Sequence, residues 1–182
     1  MAGETRTRMV EGAARLLATN GLQGTSFSEV LELTGAPRGS VYHHFPDGKD
    51  QLVTAAVQLA GSRALAAVDE WAGRTPAEVT AAFLELWRSV LVRSQLRAGC
   101  AVLAVTVATD SPDLLETAAD VFRSWRSRLA DVLAEGGHPH PARFAATLVA
   151  ASEGAVVLSR AEQSLEPFEL VAEELVASAR QA

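Results

Sequence analysis

Between Ser26 and Lys49 the chain stops and restarts a helix twice in a short span, and this punctuation limits the folds open to it more than any other feature. Ser26 and Glu29 have capping-box spacing, in which hydroxyl and carboxylate satisfy each other's orphan backbone donors. Phe27, Val30, Leu31 and Leu33 give the following helix an apolar side, and Thr34-Gly35 ends it. Ala36-Pro37 is a tight turn with proline suited to a new helix start. The next helix runs from Pro37 or Arg38 to His44, and Phe45-Pro46 breaks it. Two short helices joined by a Gly-Ala-Pro turn fit a helix-turn-helix.

Helical patterns dominate elsewhere, and convincing strands are missing. A first helix starting near Thr5 carries Val10, Ala13, Ala14 and Leu17 on one face and stops at Asn20-Gly21. Asp47 is the expected N-cap of a long fourth helix over residues 48–71. Thr75-Pro76-Ala77-Glu78 starts a fifth, expected to reach Ala98 before Gly99 interrupts it. A sixth apolar segment covers Cys100 to Thr109, a seventh helix Pro112 to Glu135, an eighth Pro141 to Glu162 and a ninth Pro167 to Arg180. The expected fold is all-α, with about nine helices. The best boundary lies near Lys49, giving domains 1–49 and 50–182.

Composition narrows the function classes. The formal net charge of −6 argues against a surface that coats nucleic acid or anionic membrane all over, and leaves room for a local basic patch. Residues 35–49 carry a net +1, whereas residues 61–182 carry −5, so the acidic bulk lies away from the short helices. The single cysteine, Cys100, fits a reducing cytosol and excludes an internal disulfide or a multi-cysteine zinc site. No uninterrupted apolar run of about 18 residues occurs, so no membrane span and a cytoplasmic location are expected. No glycine-rich phosphate loop, nucleophile elbow or metal-ligand pair is visible, which argues against an enzyme and for no cofactor.

The third helix concentrates the chemistry. Arg38, Gly39, Ser40, Tyr42, His43 and His44 supply a dense set of groups able to bond phosphates or base edges, while Val41 and Phe45 form the docking side. Gly39 costs about 1 kcal/mol relative to alanine inside a helix. It lets the backbone come close to another surface, either a DNA groove or a neighbouring helix.

The run GAPRGSVYHHFPDGKDQL resembles the helix-turn-helix signature of TetR/AcrR-family transcriptional regulators. Gly48 in FPDGK is similar to the LmrA/YxaF-like branch, as are the segments GCAVLAVTVATDSPDLLETAADVFRSWRSRL and EGAVVLSRA. The resemblance implies an all-α homodimer whose N-terminal three helices bind an operator in double-stranded DNA and whose larger C-terminal part binds a small-molecule effector. It implies that Arg38, Gly39 and Ser40 face the major groove. Tyr42, His43, Lys49, Thr25 and Ser26 would then meet phosphates. Pro37 stands where many relatives have a small polar residue.

In the C-terminal part, Phe83, Trp87 and Leu91 form one stripe, Cys100, Leu103 and Val107 a second, and Phe122 and Trp125 a third. These are either packed core or the lining of a site for a planar apolar ligand, with Gln95, Thr106 and Arg126 as candidate polar anchors. Phe144, Leu148, Ala151, Gly154, Ala155 and Leu158 lie on one side of the eighth helix, and the resemblance implies a four-helix dimer seam there. His138 and His140 read as a solvated loop rather than a metal site, and Cys100 as a buried core thiol. The expected function is a ligand-responsive repressor on a palindromic operator. The alternative is a helical small-molecule-binding protein or enzyme without specific DNA recognition.

Overall fold

The computed structural model describes residues 2–181. They form nine helices, and no strand occurs among them. In order these are α1 (Ala2–Asn20), α2 (Phe27–Thr34), α3 (Arg38–His44), α4 (Lys49–Asp69), α5 (Pro76–Arg93), α6 (Ala101–Thr106), α7 (Pro112–Glu135), α8 (Pro141–Glu162) and α9 (Glu166–Gln181). Two compact units emerge from the packing. One holds the residues up to Ser62 with Cys100–Val121; the other holds Arg63–Gly99 with the residues from Phe122 on.

In the first unit α1 packs on both α2 and α6. Met9, Ala13 and Leu17 are fully buried along one side of α1, as their helical spacing requires. The α1–α2 contact is close because residue 12 is glycine: a Cβ there would lie 2.5 Å from the Thr34 methyl. A second close approach joins α4 to the first half of α7, where a Cβ on Gly61 would meet both Val121 methyls at 2.8 and 2.9 Å.

The second unit is built on the mutual packing of α5, α8 and α9. Phe83, Leu84, Trp87 and Leu91 are buried on α5, Leu148, Val149, Ala155 and Val156 on α8, and Phe168 and Leu175 on α9. The turn between α8 and α9 is tied by the buried Ser159 hydroxyl, which accepts the Phe168 N–H at 3.1 Å. By length and composition α8 is apolar enough to cross a membrane. Its apolarity has another account, because it packs against α9 and α5 at once.

Several boundaries differ from the sequence reading. Helix α5 stops at Arg93, not Ala98, because Ser94 takes over the end. The Ser94 hydroxyl donates to the Leu91 carbonyl and accepts the Ala98 N–H, while Gln95 and Leu96 adopt left-handed φ values of 52° and 61°. Gly99 is not the breaker; it is buried where a Cβ would lie 2.9 Å from Arg160 Nη1. Helix α6 is also shorter than expected, ending at Thr106. Asp47 was expected to cap α4. Instead its own N–H donates to Gln51 Oε1 at 3.3 Å, and Gly48 turns the chain at φ 88°.

Candidate nucleic-acid interface

The capping box expected at α2 is complete. The Ser26 hydroxyl accepts the Glu29 N–H at 3.2 Å, and the Ser26 N–H donates to Glu29 Oε2 at 2.8 Å. Gly35 closes the helix in the left-handed conformation at φ 64°, its N–H donating to the Leu31 carbonyl at 2.9 Å. The turn then delivers Pro37 as the N-cap of α3. The Ser26 hydroxyl and backbone, with Lys49 nearby, hold the Glu29 carboxyl below its ordinary value of 4.5.

Helix α3 presents two opposed sides. Val41 and the residue that follows the helix, Phe45, are buried, whereas Arg38, Gly39, Tyr42 and His43 are exposed. Phe45 packs against Phe27 of α2 at 6.5 Å between ring centroids. The Tyr42 ring stands edge-on to Phe27 at 6.3 Å and is 77% exposed, so it is braced at its base with the rest of the side chain in solvent. His43 and His44 meet edge to face at 5.1 Å.

Gly39 separates the two explanations for a glycine in this helix. A Cβ built on it finds no atom within 4 Å, and its φ lies outside the left-handed region. Neither a neighbouring helix nor an unusual backbone within the chain requires glycine there. The open space there leaves the α3 backbone accessible from outside the chain.

Other predicted contact residues are engaged in specific ways. Thr25 is buried, its hydroxyl donating to the Gly21 carbonyl at 2.8 Å and its N–H to the Leu22 carbonyl at 3.3 Å, so both its donors are already committed. Ser26 keeps its hydroxyl proton, because its oxygen acts as an acceptor in the cap. The Ser40 hydroxyl donates back to the Pro37 carbonyl at 2.6 Å. Lys49 Nζ donates to the Leu22 carbonyl at 2.9 Å, which ties the first residue of α4 to the α1–α2 connection and leaves two ammonium protons. Sequence reasoning missed Arg6, whose guanidinium lies 5.4 Å from the Phe45 ring centroid. No local pattern links residues so far apart in the chain.

The candidate effector residues fall into both units. Phe83, Trp87, Leu91, Phe122 and Trp125 belong to one, where Trp87 meets Trp125 edge to face at 6.4 Å and Phe122 meets Trp125 at 5.5 Å. Cys100, Leu103 and Val107 belong to the other. Cys100 is buried at the start of α6, its sulfur accepting the Leu103 N–H, while Val107 is exposed. Of the candidate seam residues, Leu148 and Ala155 are buried inside their own unit at 0% and 1% exposure. Leu158 and Gly154 face outward, Ala151 and Phe144 lie between the extremes, and a Cβ on Gly154 meets nothing within 4 Å. His138 is not solvated: it is buried and stacks on Phe144 at 4.6 Å.

Residues 9–68 match the model for bacterial regulatory proteins of the tetR family, and residues 76–174 that for the C-terminal domain of LmrA/YxaF-like transcriptional regulators. The uncharacterized HTH-type transcriptional regulator Rv0196 of Mycobacterium tuberculosis is 38% identical over 179 residues, covering 93% of this chain and 91% of that protein. The HTH-type transcriptional regulator LmrA of Bacillus subtilis is 30% identical, covering 91% of this chain and 92% of that one. Among solved structures, a TetR transcriptional regulator from Chloroflexus aurantiacus superposes with a TM-score of 0.82 at 29% identity, over 99% of this chain and 96% of that one.

Proposed function

The chain belongs to the TetR family of bacterial transcriptional regulators, with a C-terminal domain of the LmrA/YxaF type, and we propose that it is a repressor that binds a palindromic operator as a homodimer and is released by a small apolar or aromatic effector. It is a regulator, not an enzyme. DNA binding is assigned to residues 1–49, and effector binding and dimerisation to residues 50–182. It acts in the cytoplasm, on chromosomal DNA.

One observation carries the reading: Gly39 stands among exposed polar side chains on α3 with open space where a Cβ would be. A major groove admits a helix whose backbone comes close. Arg38 then pairs bidentately with a guanine, and Tyr42, His43, Lys49 and the Ser26 hydroxyl position the duplex through phosphates. The two recognition helices of a dimer would sit about one DNA turn apart, roughly 34–36 Å.

For induction, the effector binds among the aromatic residues of α5 and α7 and favours one setting of α4. That helix contributes residues to both units, and its first residue, Lys49, is tied to Leu22. The effector shifts operator affinity only by its differential affinity for the two states. The test is fluorescence anisotropy with DNA flanking the protein's own gene, at two salt concentrations. Sequence-specific binding that weakens with salt is expected. Equal affinity for unrelated DNA, or none at low salt, overturns the proposal.

A further inference from the structure

Trp87 carries a donor that the fold leaves unused. The residue is 6% exposed, and its indole N–H has no hydrogen-bond acceptor among the described residues. Leaving such a donor unpaired in the interior costs about 1–3 kcal/mol, and a phenylalanine would fill much of the same space without that cost. Its surroundings are aromatic: Trp125 lies edge to face against it, and Phe122 stands perpendicular to Trp125. No arginine or lysine that could draw an anion is buried among the described residues, and Arg126, next to Trp125, is exposed. Arg88, next to Trp87 on α5, binds Glu169 and Glu85, and Arg128 on α7 binds Asp69 and Glu135.

We propose that the Trp87 indole N–H is the anchoring donor of the effector site, and that the effector is an uncharged planar aromatic compound bearing a carbonyl or ether oxygen. This deepens the assignment of effector binding to the C-terminal part and rests on it. An indole N–H can only donate, so it selects acceptors. In a site built around a buried donor, an analogue lacking the acceptor leaves that donor unpaired and is penalised for it. The aromatic neighbours supply apolar contact and little direction.

The matched probes are 9-fluorenone and fluorene, planar tricycles that differ by one carbonyl. Binding to the full-length protein is read by calorimetry, and the indole resonances by NMR after labelling with 15N-tryptophan. Fluorenone should bind the unaltered protein at least about tenfold more tightly than fluorene, equivalent to about 1.4 kcal/mol. In Trp87→Phe that preference should vanish. The indole resonance absent from Trp87→Phe should move with fluorenone and stay in place with fluorene. A preference that survives Trp87→Phe, equal affinities, no binding of fluorenone, or a Trp87 resonance indifferent to the carbonyl each overturn the inference. Operator anisotropy on the same samples separates it from the broader reading. Absence of operator binding in the unaltered protein defeats the repressor assignment, whereas operator binding with no carbonyl preference defeats only the role of Trp87.

Discussion

In the proposed interface Gly39 and Arg38 would divide the work of recognition between backbone and side chain, and each can be tested alone. Replacing Gly39 with alanine puts a methyl into open space, so the fold loses nothing and α3 gains helix propensity worth up to about 1 kcal/mol. In the proposed complex the same methyl would stand between the backbone and the groove floor. Gly39→Ala should therefore raise the denaturation midpoint while lowering operator affinity, a divergence that neither a core glycine nor a neutral surface position would give. Arg38→Ala should cost about 1–3 kcal/mol of discrimination at one base pair of each half-site, checked by binding to single-base operator variants. Lys49 belongs to a different class. Its Nζ already bonds the Leu22 carbonyl, so Lys49→Ala should weaken all DNA sequences alike and also loosen the head by about 1 kcal/mol. The type of each residue was legible in the sequence, because glycine, arginine and proline have narrow physical uses. The commitment of Thr25 and Ser40 to nearby carbonyls was not, since the same hydroxyls suit a phosphate equally well.

Helices announced themselves wherever a cap or a break had distinctive chemistry. The Ser26–Glu29 and Thr75–Glu78 boxes formed as their spacing predicts, and both glutamates are held below their ordinary 4.5 by those bonds. The end of α5 was hidden because ordinary residues, Gln95 and Leu96, take the left-handed conformation there. Contacts between helices were equally hidden, and Gly61 shows why. Nothing in its neighbourhood in sequence says that Val121 will lie against it. Gly61→Ala should destabilise the protein. Overpacking against a β-branched, stiff valine costs about 1–3 kcal/mol, more than the roughly 1 kcal/mol of helix propensity gained. With Val121→Ala present the clash disappears, and adding Gly61→Ala should then stabilise; a double-mutant cycle in denaturant reads the reversal. The loop before α8 makes a second prediction. His138 Nδ1 accepts the His140 N–H at 3.1 Å, which leaves the ring proton on Nε2, and burial followed by the His140 charge pushes its pKa below 6.5. The unfolded chain takes up a proton at His138 before the folded one does, so stability is level above about pH 6.5 and falls as pH drops below it. His138→Gln should flatten that acid limb of the melting-temperature profile between pH 7 and pH 5.

At the scale of the whole molecule, the proposed recognition of a palindrome needs two α3 helices held at a spacing set by DNA, and one chain carries only one α3. The outward side of α8 is the candidate face for pairing in the proposed dimer. Gly154, Val157 and Leu158 are exposed there, with Leu170 exposed on the packed neighbour α9. Single exposed apolar residues are ordinary, but Val157 and Leu158 side by side on a long helix make this side the candidate interaction face. The sequence pattern located this helix but not its outward side, because small residues occur all round it. Leu148 and Ala155 therefore read as seam residues although they serve the core. Substitution separates the two sides. Leu148→Ala removes fully buried atoms and should cost about 2–5 kcal/mol in stability. Gly154→Arg places a long charged side chain where nothing in the chain opposes it, so the protomer should keep its helicity and melting behaviour. On a dimer seam that charge is buried against its symmetry mate, which is strongly unfavourable. Sedimentation of Gly154→Arg should report a monomer, and operator affinity should fall at least about a hundredfold, because a single head keeps only half the phosphate contacts. A Gly154→Arg protein that remains dimeric and binds its operator normally would place the seam elsewhere.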